Sequence, residues 1–323
     1  MTKHNYSIGV DLGGTNIAVG LLDIGTRKIV QKMSVKTNAP RPCEEISEDI
    51  VEVCNKLCAL QEITLQDVLW IGVATPGIVK ARVVVSAVNL GWKNVDFGKI
   101  LEDISHRPTY VVNDANAAAY AEAMWGVGQD ANSVMAFTIG TGVGGGIVIN
   151  KKIWEGTNGF AAEMGHMVLV PGGRQCACGK KGCIEVYCSA SALVRQTIST
   201  MLDARGSLMW KEVQGDINRV NGKTAFKAMK AGDEAAKRVV DAFIECLGLG
   251  ISNVINVFQP DVICIGGGMS REGEVLMAPL RKHVHENSFG TDDSRTKIVA
   301  ATFENDAGII GAGVLGLQKD CFV

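Results

Sequence analysis

The chain has 323 residues, 47% hydrophobic and 20% charged, which by length and apolar content predicts two domains of ordinary size. The formal net charge of −2 provides no overall positive field for holding nucleic acid or an anionic membrane. No apolar run approaches the roughly 20 residues that span a bilayer, and residues 1–7 lack the apolar region of a signal peptide. We therefore expect a cytoplasmic protein that binds neither nucleic acid nor membrane.

The first predicted element is a β-hairpin over residues 8–21. Its glycine turn follows Asp11 and contains Gly13, Gly14, Thr15 and Asn16. A helix with an apolar face is predicted next, over about residues 46–57. A buried strand over 68–74 then ends at Thr75, Pro76 and Gly77, which together are typical of a turn.

A further strand, over 109–112, leads into Asn113 and Asp114, and a helix is predicted over 115–125. Asn and Asp are both preferred at the N-cap of a helix. Taken alone, this pair therefore favours a capping role over a catalytic one.

The second half of the chain repeats the opening pattern over residues 134–150, with a strand, the loop Gly140-Thr141-Gly142 and another strand. When the two hairpins are aligned, Asp11 falls on Thr138 and Gly13 on Gly140, which predicts two lobes related by an internal duplication. Later elements are a long helix over 233–258, a strand over 262–265 and a final amphipathic helix over 307–317. That strand ends at Gly266, Gly267 and Gly268.

Glycines after a strand let backbone N–H groups approach phosphate oxygens, although each such loop alone more often marks an ordinary hairpin. The loop at Gly140 has dinucleotide-site spacing, but that motif must open a helix, whereas here a strand follows. Gly222-Lys223-Thr224 matches the second half of a P-loop motif, but Ile217 occupies the position of the motif's first glycine, which excludes a P-loop. The remaining interpretation is a pair of glycine-turn hairpins, the first of which contains the acidic residue Asp11. A carboxylate beside a phosphate loop requires a divalent cation, and the alternative for Asp11 is a turn cap.

Three of the ten cysteines form a cluster, Cys176, Cys178 and Cys183, and His166 precedes it. Three thiols and one imidazole are a standard closed zinc set, which leaves no position for a water and so predicts a structural metal. A disulfide, the alternative, would leave one thiol over and would require an oxidising compartment. The other cysteines, including Cys321, are scattered and are expected to be free thiols.

Residues 11–15 and 139–146 resemble the two phosphate motifs of the actin–hexokinase–Hsp70 ATPase superfamily. Together with residues 113–118 and 163–185, they make essentially the whole chain resemble the ROK family of bacterial glucokinases, fructokinases, N-acetylhexosamine kinases and sugar-responsive repressors. The resemblance implies an α/β, two-lobed, actin-like (ribonuclease H-like) fold with the active site in the interlobe cleft. The implied small lobe is 1–112 plus 306–323, and the large lobe is 113–305.

The resemblance also implies ATP-dependent phosphorylation of a hexose at its 6-hydroxyl, glucose above others, in a homodimer or dimer of dimers. It implies Mg-ATP and one structural zinc. Asp114 would be the catalytic base, and the zinc ligands would be His166, Cys176, Cys178 and Cys183. The sugar would be bound by Gly77, Asn113, Asp114, Glu163, His166 and Glu185. Nucleotide and Mg²⁺ would lie against Asp11, Gly13, Gly14, Thr15, Asn16, Gly140, Thr141, Gly142, Gly266, Gly267 and Gly268.

Several alternatives remain at this level. The hexose could instead be N-acetylmannosamine, N-acetylglucosamine, fructose or mannose. A sugar-sensing repressor would need a DNA-binding domain, which we do not expect because only seven residues precede Ile8. An actin- or Hsp70-like ATPase would leave the cluster between Glu163 and Glu185 without a purpose. A dehydrogenase is disfavoured by the failed dinucleotide motif.

Overall fold

The structure is a computed structural model and describes residues 5–290 and 296–317. The strands are β1 (Tyr6–Leu12), β2 (Asn16–Asp23), β3 (Lys28–Lys36), β4 (Val68–Thr75), β5 (Ile78–Lys80), β6 (Val83–Ala87), β7 (Trp92–Val95), β8 (Thr109–Asn113), β9 (Ser133–Ile139), β10 (Val143–Ile149), β11 (Lys152–Ile153), β12 (Val262–Gly266) and β13 (Lys297–Ala300). The helices are α1 (Cys43–Leu60), α2 (Phe97–Ser105), α3 (Asp114–Met124), α4 (Glu185–Cys188), α5 (Ala190–Asp203), α6 (Met209–Glu212), α7 (Thr224–Lys230), α8 (Glu234–Phe258), α9 (Glu274–Asn287) and α10 (Ala307–Gly313). The predicted α/β class is confirmed.

The chain divides into two compact units. The first unit comprises Met1–Ala136, Gly146–Ala162 and Thr302–Val323, and the second comprises Phe137–Gly145 and Glu163–Ala301. The lobe boundaries implied by the family resemblance stay a prediction.

Two five-stranded sheets have the same strand order, β3-β2-β1-β4-β8 and β11-β10-β9-β12-β13. In the first sheet β1 is antiparallel to β2 and parallel to β4, which is parallel to β8. In the second, β10 is antiparallel to β11, and β12 is parallel to β13. Each sheet thus begins with a glycine-turn hairpin and adds later strands beside its first strand, as the predicted duplication requires. A third, small sheet has the order β5-β6-β7.

The final helix differs from its prediction. It ends at Gly313 and is followed by a 3₁₀ turn over Leu315–Leu317. Nearly every residue of this helix is buried, so it has no solvent-facing polar side and the predicted amphipathic character is wrong. The reason is tertiary, because α10 packs against α3 on one side and against β1, β2 and β4 on the other.

Small residues make this packing possible. A Cβ on Gly72 of β4 would lie 1.9 Å from the carbonyl oxygen of Ala312, so the helix backbone touches the sheet directly. The helix end is satisfied from the same sheet, because Ser7 Oγ and Trp70 Nε1 donate to the Gly313 carbonyl over 2.7 and 2.8 Å.

The predicted long helix, α8, is confirmed. Among the described residues it is the one helix long and apolar enough to cross a membrane, yet 61% of its apolar window is buried inside the protein. It packs against α5, α7 and α9 in the second unit through residues such as Phe243 and Leu247. This burial is what the core helix of a globular unit shows.

None of the nine cysteines within residues 5–290 and 296–317 forms a disulfide. Most are buried, Cys246 is half-buried and Cys178 is exposed. Cys321 lies outside the described residues.

Candidate active site

In the first unit, the site residues gather at one edge of the sheet. Strands β1, β4 and β8 are parallel, so their carboxyl ends share that edge. Asp11 is opposite Ala74, and Thr75 is opposite Asn113. Since neighbouring strands lie about 4.8 Å apart, the ends of β1 and β8 are separated by about 10 Å. The fold therefore brings Asp11 and Asp114 to the same side of the sheet.

The first glycine turn is closed without the carboxylate of Asp11. Gly13 N–H donates to the Asn16 carbonyl over 2.9 Å, and the Thr37 hydroxyl donates to the Gly13 carbonyl over 2.6 Å. Thr37 N–H also donates to the Thr15 carbonyl over 3.0 Å. In the described part of the chain, Asp11 makes no side-chain hydrogen bond, so the geometry does not favour its alternative role as a turn cap.

The carboxyl group of Asp11 has a raised pKa. Burial, and to a smaller extent the negative charge of Asp114, together raise the pKa of Asp11 to about 6. Its carboxyl group lies against Gly308, where a Cβ would be 2.7 Å from Asp11 Cγ. A half-buried carboxylate that repels a second one is stabilised by a cation, so this pair suits a bound Mg²⁺.

The neighbouring Asn113 is the helix cap. Its Oδ1 accepts from the N–H groups of Ala115 and Asn116 over 2.9 and 3.2 Å. Asp114 is the first residue of α3, and its Oδ1 accepts from Ala115 N–H over 2.8 Å. The side chain of Asp114 is solvent-accessible. Partial desolvation of its carboxyl group by the surrounding protein raises its pKa. Because Asn113 caps the helix, the Asp114 carboxylate remains available for another role.

Asn113 also holds the turn at Gly77. Its Nδ2 donates to the Gly77 carbonyl over 2.9 Å. Gly77 has a φ of +93°, and a Cβ there would lie 2.1 Å from the Ser86 carbonyl oxygen, so the position requires glycine. Gly77, Asn113 and Asp114 therefore form one connected group in the first unit.

Asn89, which no sequence motif indicated, lies beside the first glycine loop. It is exposed in a 3₁₀ turn between β6 and β7, and a Cβ on Gly14 would lie 3.1 Å from Asn89 Cβ. Thr37 and Gly308 were likewise not identified from the sequence. All three residues are remote from Asp11 along the chain, so no local motif includes them.

In the second unit, two glycine loops are in contact. Gly140 N–H donates to the Gly142 carbonyl over 3.0 Å, and the Gly140 carbonyl accepts from Ala190 N–H over 2.9 Å. Gly267 has a φ of +81°, and a Cβ there would lie 2.4 Å from the Ile139 carbonyl oxygen. The loop after β12 is therefore packed on the end of β9, beside the loop at Gly140. Backbone approach this close is what phosphate and nucleotide loops use.

Glu185 links the second glycine loop to the cysteine cluster. Its Oε2 accepts from Val143 N–H over 3.0 Å, and a Cβ on Gly142 would lie 2.3 Å from the same oxygen. Its Oε1 lies 3.7 Å from Cys176 Sγ. One carboxylate thus touches both predicted sites of the second unit.

The four predicted metal ligands lie together. The ligand atoms of His166, Cys176, Cys178 and Cys183 are all within 4.8 Å of one another. His166 Nδ1 is 3.7 Å from Cys176 Sγ, and the sulfurs of Cys178 and Cys183 are 3.6 Å apart. Tetrahedral zinc with Zn–S bonds near 2.3 Å would place two thiolates about 3.8 Å apart. The cluster therefore has the dimensions of a closed four-coordinate metal site.

The ring of His166 has two distinct sides. Nδ1 faces the cysteines, whereas Nε2 lies 3.9 Å from Glu163 Oε2. Glu163 is exposed and His166 is half-buried, so both are accessible to a ligand on the side away from the cluster. This arrangement lets one imidazole bind a metal and a second group at once.

Known proteins are similar to this chain over nearly its whole length. The profile of the ROK family matches residues 7–319. The chain is 34% identical over 318 residues to the glucokinase of Halalkalibacterium halodurans, covering 98% of this chain and 96% of that protein. A crystal structure of a ROK family glucokinase from Streptomyces griseus in complex with glucose and AMPPNP is similar with a TM-score of 0.80, 32% identity, and coverage of 96% and 99% of the two chains. A xylose repressor from Bacillus spizizenii is 27% identical over 98% of this chain and 78% of that protein. Because the profile and the glucokinase match nearly the whole length, this chain belongs to the ROK family.

Proposed function

We propose that this protein transfers the γ-phosphoryl group of Mg-ATP to the 6-hydroxyl of a hexose, with glucose preferred. The observation that carries the proposal is the position of Glu185, which contacts both the second glycine loop and the cysteine–histidine cluster. The glucokinase relative and the Streptomyces griseus protein, which binds glucose and AMPPNP, support the same reaction.

In this proposal the nucleotide is held mainly by backbone groups. The residues proposed to line the phosphates are Gly13, Gly14, Thr15 and Asn16 in the first unit and Gly140, Thr141 and Gly142 in the second. The donors are N–H groups other than those of Gly13 and Gly140, which are bonded within their own turns. Asp11 faces the Mg²⁺ of Mg-ATP, since its half-buried, unpaired carboxylate has no other partner among the described residues. The adenosine lies near Gly266, Gly267 and Gly268, as the family resemblance implies.

Asp114 is proposed as the general base that accepts the proton of the attacking hydroxyl. Phosphoryl transfer is largely dissociative, so the proton is lost late and positioning carries most of the catalysis. Asn113 supplies that positioning by capping α3 and by holding the turn at Gly77.

Glu163, His166 and Glu185 are proposed to bind the hydroxyls at carbons one and two of the sugar, with Gly77 and Asn113 as further contacts. Glutamates suit this role because one carboxylate can accept hydrogen bonds from two hydroxyls. The four-residue cluster would hold one zinc ion, which supplies structural stability rather than an activated water. In this role the metal-bound loop would hold Glu163 and Glu185 in place.

Glucose is preferred in this proposal because a site built to bind hydroxyls loses much when one is replaced. A 2-acetamido group also needs apolar room for its methyl, which none of the proposed sugar-binding residues provides. The alternatives are a kinase for N-acetylmannosamine, N-acetylglucosamine, fructose or mannose, and a sugar-sensing, repressor-like protein that lacks a DNA-binding domain. The second is less supported, because the xylose repressor is 27% identical and the glucokinase 34% identical to this chain. A homodimer or dimer of dimers stays a prediction.

The test is kcat/KM for glucose, mannose, fructose, N-acetylglucosamine and N-acetylmannosamine at one ATP concentration. We expect glucose to give the highest value. A tenfold preference for either acetamido sugar, about 1.4 kcal/mol of transition-state binding, would overturn the choice of glucose and leave the kinase standing. ATP hydrolysis that no sugar accelerates would overturn the kinase itself.

A further inference from the structure

A polar cavity lies along the groove between α5 and α8 in the second unit, away from the residues assigned above. Its volume is about 220 Å³. Val239 and Ala242 of α8 form its apolar part, and the polar lining consists of Arg174, Gln196, Ser199, Thr200 and Arg238. We call this cavity the arginine groove.

The two arginines of this groove carry uncompensated charge. Among the described residues, neither Arg174 nor Arg238 forms an ion pair, and Arg238 makes no side-chain hydrogen bond. The guanidinium of Arg174 stacks over the ring of Tyr187, with 5.1 Å between its Cζ and the ring centroid. Stacking uses the face of the guanidinium and leaves the N–H donors at its edge free. No acidic side chain among the described residues lines the groove.

Further donors lie on one face of α5. Gln196, Ser199 and Thr200 have the i, i+3, i+4 spacing that places side chains together on a helix. Gln196 Nε2 donates to the Tyr187 carbonyl over 3.0 Å, which holds α5 against that residue. In the described part of the chain, the hydroxyls of Ser199 and Thr200 have no hydrogen-bond partner. The groove thus presents two cations and two free hydroxyls to the same space.

We propose that the arginine groove binds a phosphate group, either as the free ion or as a small phosphate monoester. Guanidinium edges match phosphate oxygens in pairs, and hydroxyl donors complete the shell of such an anion. The volume lies below the range of about 300–1,000 Å³ that is typical of sites for drug-sized ligands, so the ligand is smaller than a nucleotide.

The groove is physically connected to the proposed sugar site. Arg174 lies two residues before Cys176, and its backbone N–H donates to the Tyr187 hydroxyl over 2.9 Å. Tyr187 in turn lies on α4, two residues after Glu185. An anion that holds Arg174 would therefore restrain the loop that carries the cluster. Any effect of this restraint on sugar phosphorylation rests on the proposed function, whereas anion binding does not.

The test is calorimetric titration of the full chain with inorganic phosphate and, separately, with glycerol 3-phosphate, in a low-salt buffer free of sulfate, sugar and ATP. Glycerol 3-phosphate is a phosphate monoester that contains no sugar ring. We expect Arg238→Ala to weaken binding by at least about tenfold, because a charge-assisted contact is lost. Arg238→Lys should be intermediate, since lysine keeps the charge and loses the paired donors. The matched control is Arg195→Ala, an exposed arginine of α5 outside the groove, which should bind as the unmodified chain does.

Tighter binding of glycerol 3-phosphate than of phosphate would identify a monoester site, and equal binding would identify a site for the free ion. Circular dichroism of each variant establishes that it is folded. Equal affinities in Arg238→Ala and Arg195→Ala, or no binding of either probe to the unmodified chain, would overturn the proposal. Because the titration contains neither sugar nor ATP, its failure is independent of the kinase activity.

Discussion

The carboxylate of Glu185 accepts a hydrogen bond from the backbone N–H of Val143 over 3.0 Å. This bond fixes the side chain of Glu185, a proposed sugar-binding residue, to the first residue of β10. That residue directly follows the loop Gly140-Thr141-Gly142. A change in the glycine loop should therefore be felt in sugar binding as well as in nucleotide binding.

Gly142→Ala tests this relationship. The added Cβ would lie 2.3 Å from Glu185 Oε2, so the carboxylate must move. We expect KM for the sugar to rise by about 10- to 100-fold, the range for losing a hydrogen bond to a charged group. The control is Gly206→Ala, because nothing lies within 4 Å of a Cβ at that position and the residue lies outside the proposed sites. If Gly142→Ala leaves KM for the sugar as unchanged as Gly206→Ala does, Glu185 does not bind the sugar.

Asp114→Asn should reduce sugar-dependent ATP turnover by about 10²–10⁴-fold, which is the contribution of a positioned general base. Folding should persist, because Asn113 is the residue that caps α3. ATP affinity and metal content are measured alongside kcat, and the exposed Asp103→Asn serves as control. Turnover within a few-fold of the unmodified chain would remove Asp114 from the mechanism.

Elemental analysis should find one zinc per chain in protein purified without chelator. Structural zinc contributes roughly 10 kcal/mol or more of apparent binding free energy in small peptides, but here the large core should confine unfolding to the loop. Cys178→Ser should therefore lose zinc and sugar affinity together, with a smaller effect on ATP binding. Cys246→Ser, a half-buried thiol outside the cluster, should keep its metal. Metal-free protein that still binds sugar normally would contradict the structural role.

Glu155 should make stability depend on pH. The residue is 8% exposed, and burial raises its pKa to about 7. Because the folded pKa lies above the unfolded one, its stabilising contribution is full below the unfolded pKa and is lost as pH rises through about 7. The shift from 4.5 to about 7 corresponds to about 3 kcal/mol between acidic and alkaline pH.

Glu155→Gln keeps the shape of the side chain and removes its titration. Thermal unfolding followed from about pH 5 to about pH 9 should therefore lose part of its pH dependence in this variant. Glu48→Gln, a change at an exposed position of α1, should not alter the profile. Parallel profiles for Glu155→Gln and the unmodified chain would show that Glu155 is already ionised in the folded protein.

Much of the site is predictable because its signals are local. The two glycine hairpins, Asp11 and Asp114 at strand ends, and the cluster of His166 with three cysteines all depend on short-range spacing. Backbone geometry and metal coordination restrict which residues can stand at such spacings, so these features appear in the sequence without knowledge of the fold.

Other features of the site depend on contacts between distant parts of the chain. Thr37, Asn89 and Gly308 reach the first glycine loop from distant parts of the chain, and no local pattern marks them. The burial of α10 and of Glu155 likewise depends on which surfaces pack against them. The arginine groove exists because α5 and α8 meet and because Arg174 lies on a separate loop beside them. Sequence spacing describes neighbours along the chain, whereas burial, charge pairing and cavities are set by contacts between segments far apart in it.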